Sequence, residues 1–146
     1  MTIHKLENIE KPTALNLAWK VFMQFEAPEY SQEGIDTFRN FINDKISTDS
    51  LLMYAAFEND EMIGVIAMRY DKSHISLFFV KDKYHKQSVG RKLFNTVLEK
   101  CESDHMTVHS SPYAVGFYHK LGFKDESPEQ LTDGIRFTPM ILKLNK

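Results

Sequence analysis

The segment from Val80 to Leu93, VKDKYHKQSVGRKL, is where residue types and spacing first suggest chemistry. Ser88 and Gly90 stand at what reads as a strand-to-helix turn. Such a turn presents unpaired backbone N–H groups at the positive end of a helix, a setting that suits a phosphate or pyrophosphate. Lys81, Lys83, Lys86, Arg91 and Lys92 are offset only by Asp82, which makes this the most basic window of a chain whose formal net charge is -2. An anion site is therefore local, and the overall charge gives no field to draw in nucleic acid or an anionic membrane. The same residues also describe an ordinary helix start with solvated lysines, because short glycine patterns carry little information alone. Cys101 has no partner for an internal disulfide, and His4, His105, His109 and His119 show no clustering with carboxylates. A reducing compartment and no metal are the expectation.

The elements that would position these groups follow from periodicity. A length of 146 residues fits a single domain spanning 1–146, and 42% hydrophobic residues, including 11 Phe, supply a core and argue against disorder. Met1 to Ile9 alternates polar and apolar residues without a signal core, and nowhere do about 18 apolar residues run together. A cytoplasmic protein that neither crosses nor binds a membrane is expected. Thr2–Leu6 reads as an edge strand. Pro12 opens a helix with Ala14, Leu15, Ala18, Val21, Phe22 and Phe25 on one face. Ser31 caps a second helix carrying Ile35, Phe38, Phe41 and Ile42 and closing near Asp44. Leu51–Glu58 and Met62–Tyr70 read as a hairpin, and His74–Val80 as a third long strand. A helix follows with Val89, Leu93, Phe94, Val97, Leu98 and Cys101 inward. Met106–His109 is a short strand, Tyr113–Leu121 a helix ended by Gly122, Ile135–Leu144 a closing strand, with one more strand near Phe123–Lys124. This order predicts an α/β fold, a mixed and mostly antiparallel sheet flanked by helices.

Two blocks resemble the GNAT superfamily of acetyl-CoA-dependent N-acetyltransferases. Val80, Tyr84 and then His85-Lys86-Gln87-Ser88-Val89-Gly90 are similar to the family's cofactor loop, with His85 where Arg or Gln is usual, Ser88 for the first Gly and Asp82 for Pro. Ser110-Ser111-Pro112-Tyr113-Ala114-Val115-Gly116-Phe117-Tyr118-His119-Lys120-Leu121-Gly122-Phe123 is similar to the later block, with His109 where Asn is usual. The resemblance implies a sheet splayed between its fourth and fifth strands, with the pantetheine arm of acetyl-CoA in the gap as an added strand. Phe78, Phe79 and Val80, the run His85, Lys86, Gln87, Ser88, Val89, Gly90 and Arg91, and Ser111 would bind the cofactor. Tyr118 corresponds to the family's general acid, which would protonate the leaving thiolate.

The base is not fixed by a motif. His74, opening the cofactor-binding strand, has a suitable intrinsic pKa but equally fits a structural histidine at a strand end. Glu26 and Glu29, with Tyr30, lie between the first two helices, a segment that covers the acceptor in this fold. They would hold an ammonium group or start a proton path, or form a solvated acidic loop. The resulting expectation is direct acetyl transfer to a primary amine of a small molecule or peptide, with a small cationic amine recruited by Glu26 to Glu33. The place of Cys101 on an apolar helix face argues against an acyl-enzyme. Rival readings are a non-catalytic acyl-CoA sensor on the same scaffold and a nucleotide-binding regulatory domain, the latter without a Walker pattern. A homodimer is compatible with all three.

Overall fold

The computed structural model describes residues 1–85 and 88–145. Its elements run β1 (Thr2–Lys5), α1 (Lys11–Phe25), α2 (Gln32–Asn43), α3 (Lys45–Asp49), β2 (Leu52–Glu58), β3 (Glu61–Met68), β4 (His74–Val80), α4 (Val89–Lys100), β5 (His105–Ser110), α5 (Val115–Leu121), β6 (Lys124–Asp125), β7 (Gln130–Thr132) and β8 (Ile135–Lys143). The sheet order is β1-β2-β3-β4-β5-β8-β6, with β7 also on β8. All pairings are antiparallel except β4 with β5. This is the mixed, mostly antiparallel sheet expected from the sequence.

Alternation along the strands divides the core into two layers. Met53, Ala55, Val65, Ala67, Leu77 and Phe79 face α1, meeting Leu17, Ala18, Val21 and Phe22. Tyr54, Ala56, Ile63, Ile66 and Ile75 face the opposite way onto Val89, Leu93, Phe94 and Val97 of α4. Cys101, only 1% exposed, closes that layer. Register shifts between Ala67 and Met68 of β3 leave Ser76 as an extra residue in β4. Such a bulge bends its strand, and the bend has a direct consequence. β4 pairs with β5 only at His74–Thr107 and Ile75–Val108, and then the two strands separate.

Several local choices are visible in the residues. The Ser31 side chain accepts a hydrogen bond from Gly34 N–H, and Gly122, at φ 105°, terminates α5. Asn59 and Asp60, at φ 50° and 65°, make a two-residue turn, so Glu61 already belongs to β3 and pairs with Glu58. Three features depart from the sequence reading. Asp44 caps a further short helix, α3, accepting from Ile46 and Ser47 N–H. Pro112–Ala114 forms a 3-10 turn, so α5 proper begins at Val115. Asp133 and Gly134, at φ 52° and 80°, turn β7 into β8, an Asp-Gly hairpin signal within a polar stretch.

That hairpin anchors α2. An added Cβ on Gly34 would lie 2.3 Å from the Gly134 carbonyl oxygen, and Thr37 Oγ1 donates to the Asp133 carbonyl at 2.7 Å. An alanine in an open helical position gains about 1 kcal/mol over glycine. Gly34→Ala is expected to do the opposite and cost about 1–3 kcal/mol, because backbone must move apart. Gly116→Ala, with nothing within 4 Å of the new methyl, is the control and is expected to stabilise; urea denaturation reads both signs. Ser88, at φ 63°, holds a left-handed conformation ahead of α4. That costs an L-residue about 1–2 kcal/mol and a glycine only its larger chain entropy, so Ser88→Gly is expected to raise stability by about 0.5 kcal/mol in the same assay.

Candidate active site

The separation of β4 from β5 creates the site. Lys81 N–H donates to the Ile63 carbonyl. By antiparallel alternation, Phe79 and Leu77 therefore direct their backbone groups toward β3, while Phe78 and Val80 turn theirs into the gap. A cavity of about 470 Å³ opens there, lined by Phe25, Phe78, Phe79, Val80, His85, Ser88, Gly90, Arg91, Phe117 and Tyr118 among others. A second cavity of about 390 Å³ lies under α1 and α2, with Phe22, Tyr30, Phe38, Phe41, Arg69, His74, His109 and Phe137 in its walls. Glu26, Phe78, Phe79, Ala114 and Tyr118 line both, so the two cavities meet at these residues. A separate cavity of about 520 Å³ beneath α1 to α3, lined by Lys11, Trp19 and Arg39, contains none of the expected site residues.

At the helix end of the first cavity, the Ser88 side chain makes no cap hydrogen bond to the first turn of α4. Val89 is buried to 2% and offers only its backbone. A Cβ at Gly90 would come within 3.1 Å of the Phe117 ring, which puts the glycine backbone close to that wall. Arg91 donates to the Lys120 carbonyl at 3.3 Å, fastening α4 to the end of α5. His85 plays a different part from a loop cation: Nε2 donates to the Val80 carbonyl at 2.6 Å and the ring packs 4.9 Å from Phe25. Lys86 and Gln87 lie outside the described residues.

Tyr118 is buried on α5, its ring edge-on to Phe78 and Phe123. Burial, with the Glu26 carboxylate as the second cause, pushes the phenol above its ordinary range. It is a fully protonated hydroxyl at neutral pH. Glu26, at the C-terminal end of α1, is pushed up to about 7, mainly by burial and further by the charge of Glu29, against an opposing hydrogen bond from Ser111. Ser111 is itself buried and lines the second cavity. A carboxyl poised near neutrality beside a buried phenol is an arrangement for moving protons.

The other expected residues divide. His74 is buried in the second cavity with Nδ1 2.8 Å from Thr107 Oγ1. Burial first, then Arg69 and His109, push it down to about 4, so it is a neutral imidazole near pH 7. Tyr30 lines the same cavity but its hydroxyl donates to the Arg136 carbonyl at 3.0 Å. Glu29 is exposed and lines neither cavity; its carbonyl accepts from Arg136 at 3.2 Å. Sequence reasoning did not single out Arg69, Phe38 or Phe137 as site residues. Phe38 carried a signal, a place on the apolar face of α2, and it stacks 4.0 Å from Phe22. Among the described residues no group of three His, Cys, Asp or Glu side chains could hold a metal, and no helix is long and apolar enough to cross a membrane.

Residues 26–144 match the family model of the acetyltransferase (GNAT) domain. No curated protein sequence matches the chain. In fold it is similar to a GCN5-related N-acetyltransferase from Rhodopseudomonas palustris, at TM-score 0.84 and 18% identity over 98% of this chain and 95% of that one. It is also similar to the PaiA N-acetyltransferase from Thermoplasma acidophilum, solved in complex with coenzyme A, at TM-score 0.69 and 23% identity over 98% and 99% of the two chains. The ribosomal-protein-S18-alanine N-acetyltransferase from Escherichia coli aligns at TM-score 0.67 and 19% identity over 99% and 94%. With the splayed β4–β5 pair, the glycine-bearing turn into α4 and the match over residues 26–144, the chain belongs to the GNAT acetyltransferase family.

Proposed function

We propose that this protein is an N-acetyltransferase that moves the acetyl group of acetyl-CoA directly to a primary amine of a small molecule or peptide. The observation that carries this reading is the meeting of two cavities at Glu26 and Tyr118, one lined by open β4 backbone and the α4 turn, the other by aromatic side chains. The first cavity fits the cosubstrate: Phe78 and Val80 offer strand-like hydrogen bonding to an extended arm, and the start of α4 at Ser88 to Arg91, which the Ser88 side chain does not cap, offers N–H groups to a pyrophosphate. When bound there, acetyl-CoA supplies an activated acyl thioester and a thiolate leaving group.

The chain's own residues do the rest. Glu26 takes the proton from the acceptor ammonium, which has an ordinary pKa of about 10.4 and is inert as a nucleophile until deprotonated. Tyr118 delivers a proton to the departing sulfur. Backbone N–H groups of β4 face the place where charge grows on the acyl oxygen. His74, neutral and tied to Thr107, orients the acceptor wall rather than carrying the proton. Cys101 is buried in the α4 layer and lines neither cavity, which supports direct transfer.

Tyr118→Phe keeps the ring contacts and removes the proton. Its kcat is expected to fall about 100- to 10,000-fold with CoA affinity nearly unchanged; a change under about threefold would make the phenol structural. Glu26 must be ionised to act, so kcat/KM is expected to rise with pH through about 7, the value of its folded carboxyl. The sign of its effect on folding is opposite: a raised carboxyl favours the protonated folded state, so its contribution to stability is complete below the unfolded value of 4.5 and is lost as pH rises through about 7. Glu26→Gln is expected to remove both dependences, whereas His74→Gln leaves the limb near pH 7 in place. A limb retained in Glu26→Gln would transfer the base role elsewhere.

A further inference from the structure

The second cavity has a distribution of charge that the acetyl-transfer chemistry does not use. Among the described residues lining it, Arg69 is the one lysine or arginine and Glu26, poised at about 7, the one carboxyl. They stand at different ends. Glu26 is shared with the cofactor cavity, whereas Arg69 lines the acceptor cavity alone. Arg69 directly follows β3 and its backbone N–H donates to the His74 carbonyl at 2.9 Å, which fixes it beside the first residue of β4. Tyr118 packs 6.2 Å from Phe78 and, like Glu26 and Phe79, belongs to the residues that line both cavities. His74 and Phe78 are four residue steps apart along β4, at most roughly 13 Å at about 3.3 Å per residue.

Arg69 is exposed, and its guanidinium makes no hydrogen bond or ion pair among the described residues. Asp71 acts on it only electrostatically, its own carboxylate being engaged by Ser73 N–H. Around it are two imidazoles, His74 and His109, with ring centroids 5.0 Å apart. His109 stacks on Phe137 at 4.5 Å and has Glu126 as its electrostatic neighbour. The positive potential of Arg69 is felt by both rings, which it pushes toward their neutral forms. The walls also carry Phe22, Phe38, Phe41 and Leu77, together with the polar side chains of Thr37 and Ser76. A five-donor fork left unpaired on the wall of a cavity lined by aromatic and neutral polar side chains matches a carboxylate or phosphate.

We propose that the acceptor carries an oxyanion, carboxylate or phosphate, at the end remote from its amine, and that Arg69 holds this group at the outer end of the acceptor cavity. The proposal rests on the N-acetyltransferase reading for which end receives the amine. It selects amines whose oxyanion is several bonds away, such as ω-amino acids, aminoalkyl phosphates or short peptides ending in a free carboxylate. It disfavours polyamines, which would bring a second cation to Arg69. Glu29 and Glu33, both exposed, lie off this cavity and do not counter the guanidinium.

Product analogues test the proposal without turnover. Calorimetric titration of the CoA-loaded protein with 6-acetamidohexanoate, 6-acetamidohexyl phosphate and neutral 6-acetamidohexanamide compares three ligands alike except at the far end. At least one anionic ligand is expected to bind about tenfold or more tighter than the amide, a charge-assisted hydrogen-bond increment; which one identifies the oxyanion. In Arg69→Gln that preference is expected to shrink below about threefold, and Arg69→Lys to keep part of it without the bidentate geometry. Equal binding of the three ligands, no binding of any, or a preference surviving in Arg69→Gln would overturn the role of Arg69. CoA release with 6-aminohexanoate or hexylamine reports separately on acetyl transfer, so failure of that reading and of this one are distinct results.

Discussion

A β-strand has two hydrogen-bonding edges, and in β4 only one of them is closed. β3 pairs with the strand from Ile75 to Val80, while β5 meets the opposite edge at His74 and Ile75 and then leaves. Backbone groups enclosed without partners cost about 1–3 kcal/mol each, so an open edge inside a fold is kept only where something covers it. The bulge at Ser76 turns β4 away, and β8 compensates β5 by pairing with all six of its residues from His105 to Ser110. One exposed acceptor, the Val80 carbonyl, is taken by His85. The remaining groups of Phe78 and Val80 face the cleft, and the turn at Ser88 and the cavity under α1 are both arranged around that edge.

The proposed chemistry uses the same enclosure electrostatically. Removing water from Glu26 raises its carboxyl to about 7, and the ionised form in turn raises Tyr118. The coupling has a sign that favours an ordered exchange. While Glu26 is ionised it accepts a proton and keeps the phenol protonated. Burial is the larger cause of the raised Tyr118 phenol and persists throughout, but once Glu26 has taken the proton of an ammonium group its added charge is gone, and the phenol becomes a somewhat better donor to a leaving thiolate. Base and acid, which both line the two cavities, are thus linked through one charge in the proposed chemistry. His74 is poorly suited to join them, since a conjugate acid near 4 leaves it protonated only in a strongly acidic solution.

Much of this was legible in residue order. The apolar period of α1, the capping serine of α2, the strand His74–Val80 and the glycine after Leu121 each state a local preference that tertiary structure did not overrule. Asp133-Gly134 carried a hairpin signal too, but the strand it creates, β7, is three exposed residues without an apolar period. Burial was the part that spacing could not supply. Glu26 reads as one of several acids between two helices, and what distinguishes it from Glu29 is the approach of Ser111 and Tyr118 from more than eighty residues away. Arg69 reads as a solvated cation at a strand end. Its position on the acceptor cavity arises from the meeting of β3, β4 and α2, which no local pattern encodes.

The two halves of the site are built from different materials, and that difference explains where the family resemblance falls. The cofactor side depends chiefly on backbone: an open strand edge, a left-handed cap and the start of a helix, all between Val80 and Phe123 or immediately before them. Backbone geometry demands a few small residues at fixed offsets and so leaves a readable motif. The acceptor side depends on side chains from scattered elements, namely Glu26, Tyr30, Phe38, Arg69 and Phe137. Its outer wall, α2, is joined to the β7–β8 hairpin through Gly34 and Gly134, Thr37 and Asp133, and Tyr30 and Arg136. Because these contacts are independent of the β4 edge, the acceptor wall can change shape and charge without disturbing the turn into α4. In this chain the family-like blocks thus fall on the backbone-built side, and Arg69 lies outside them.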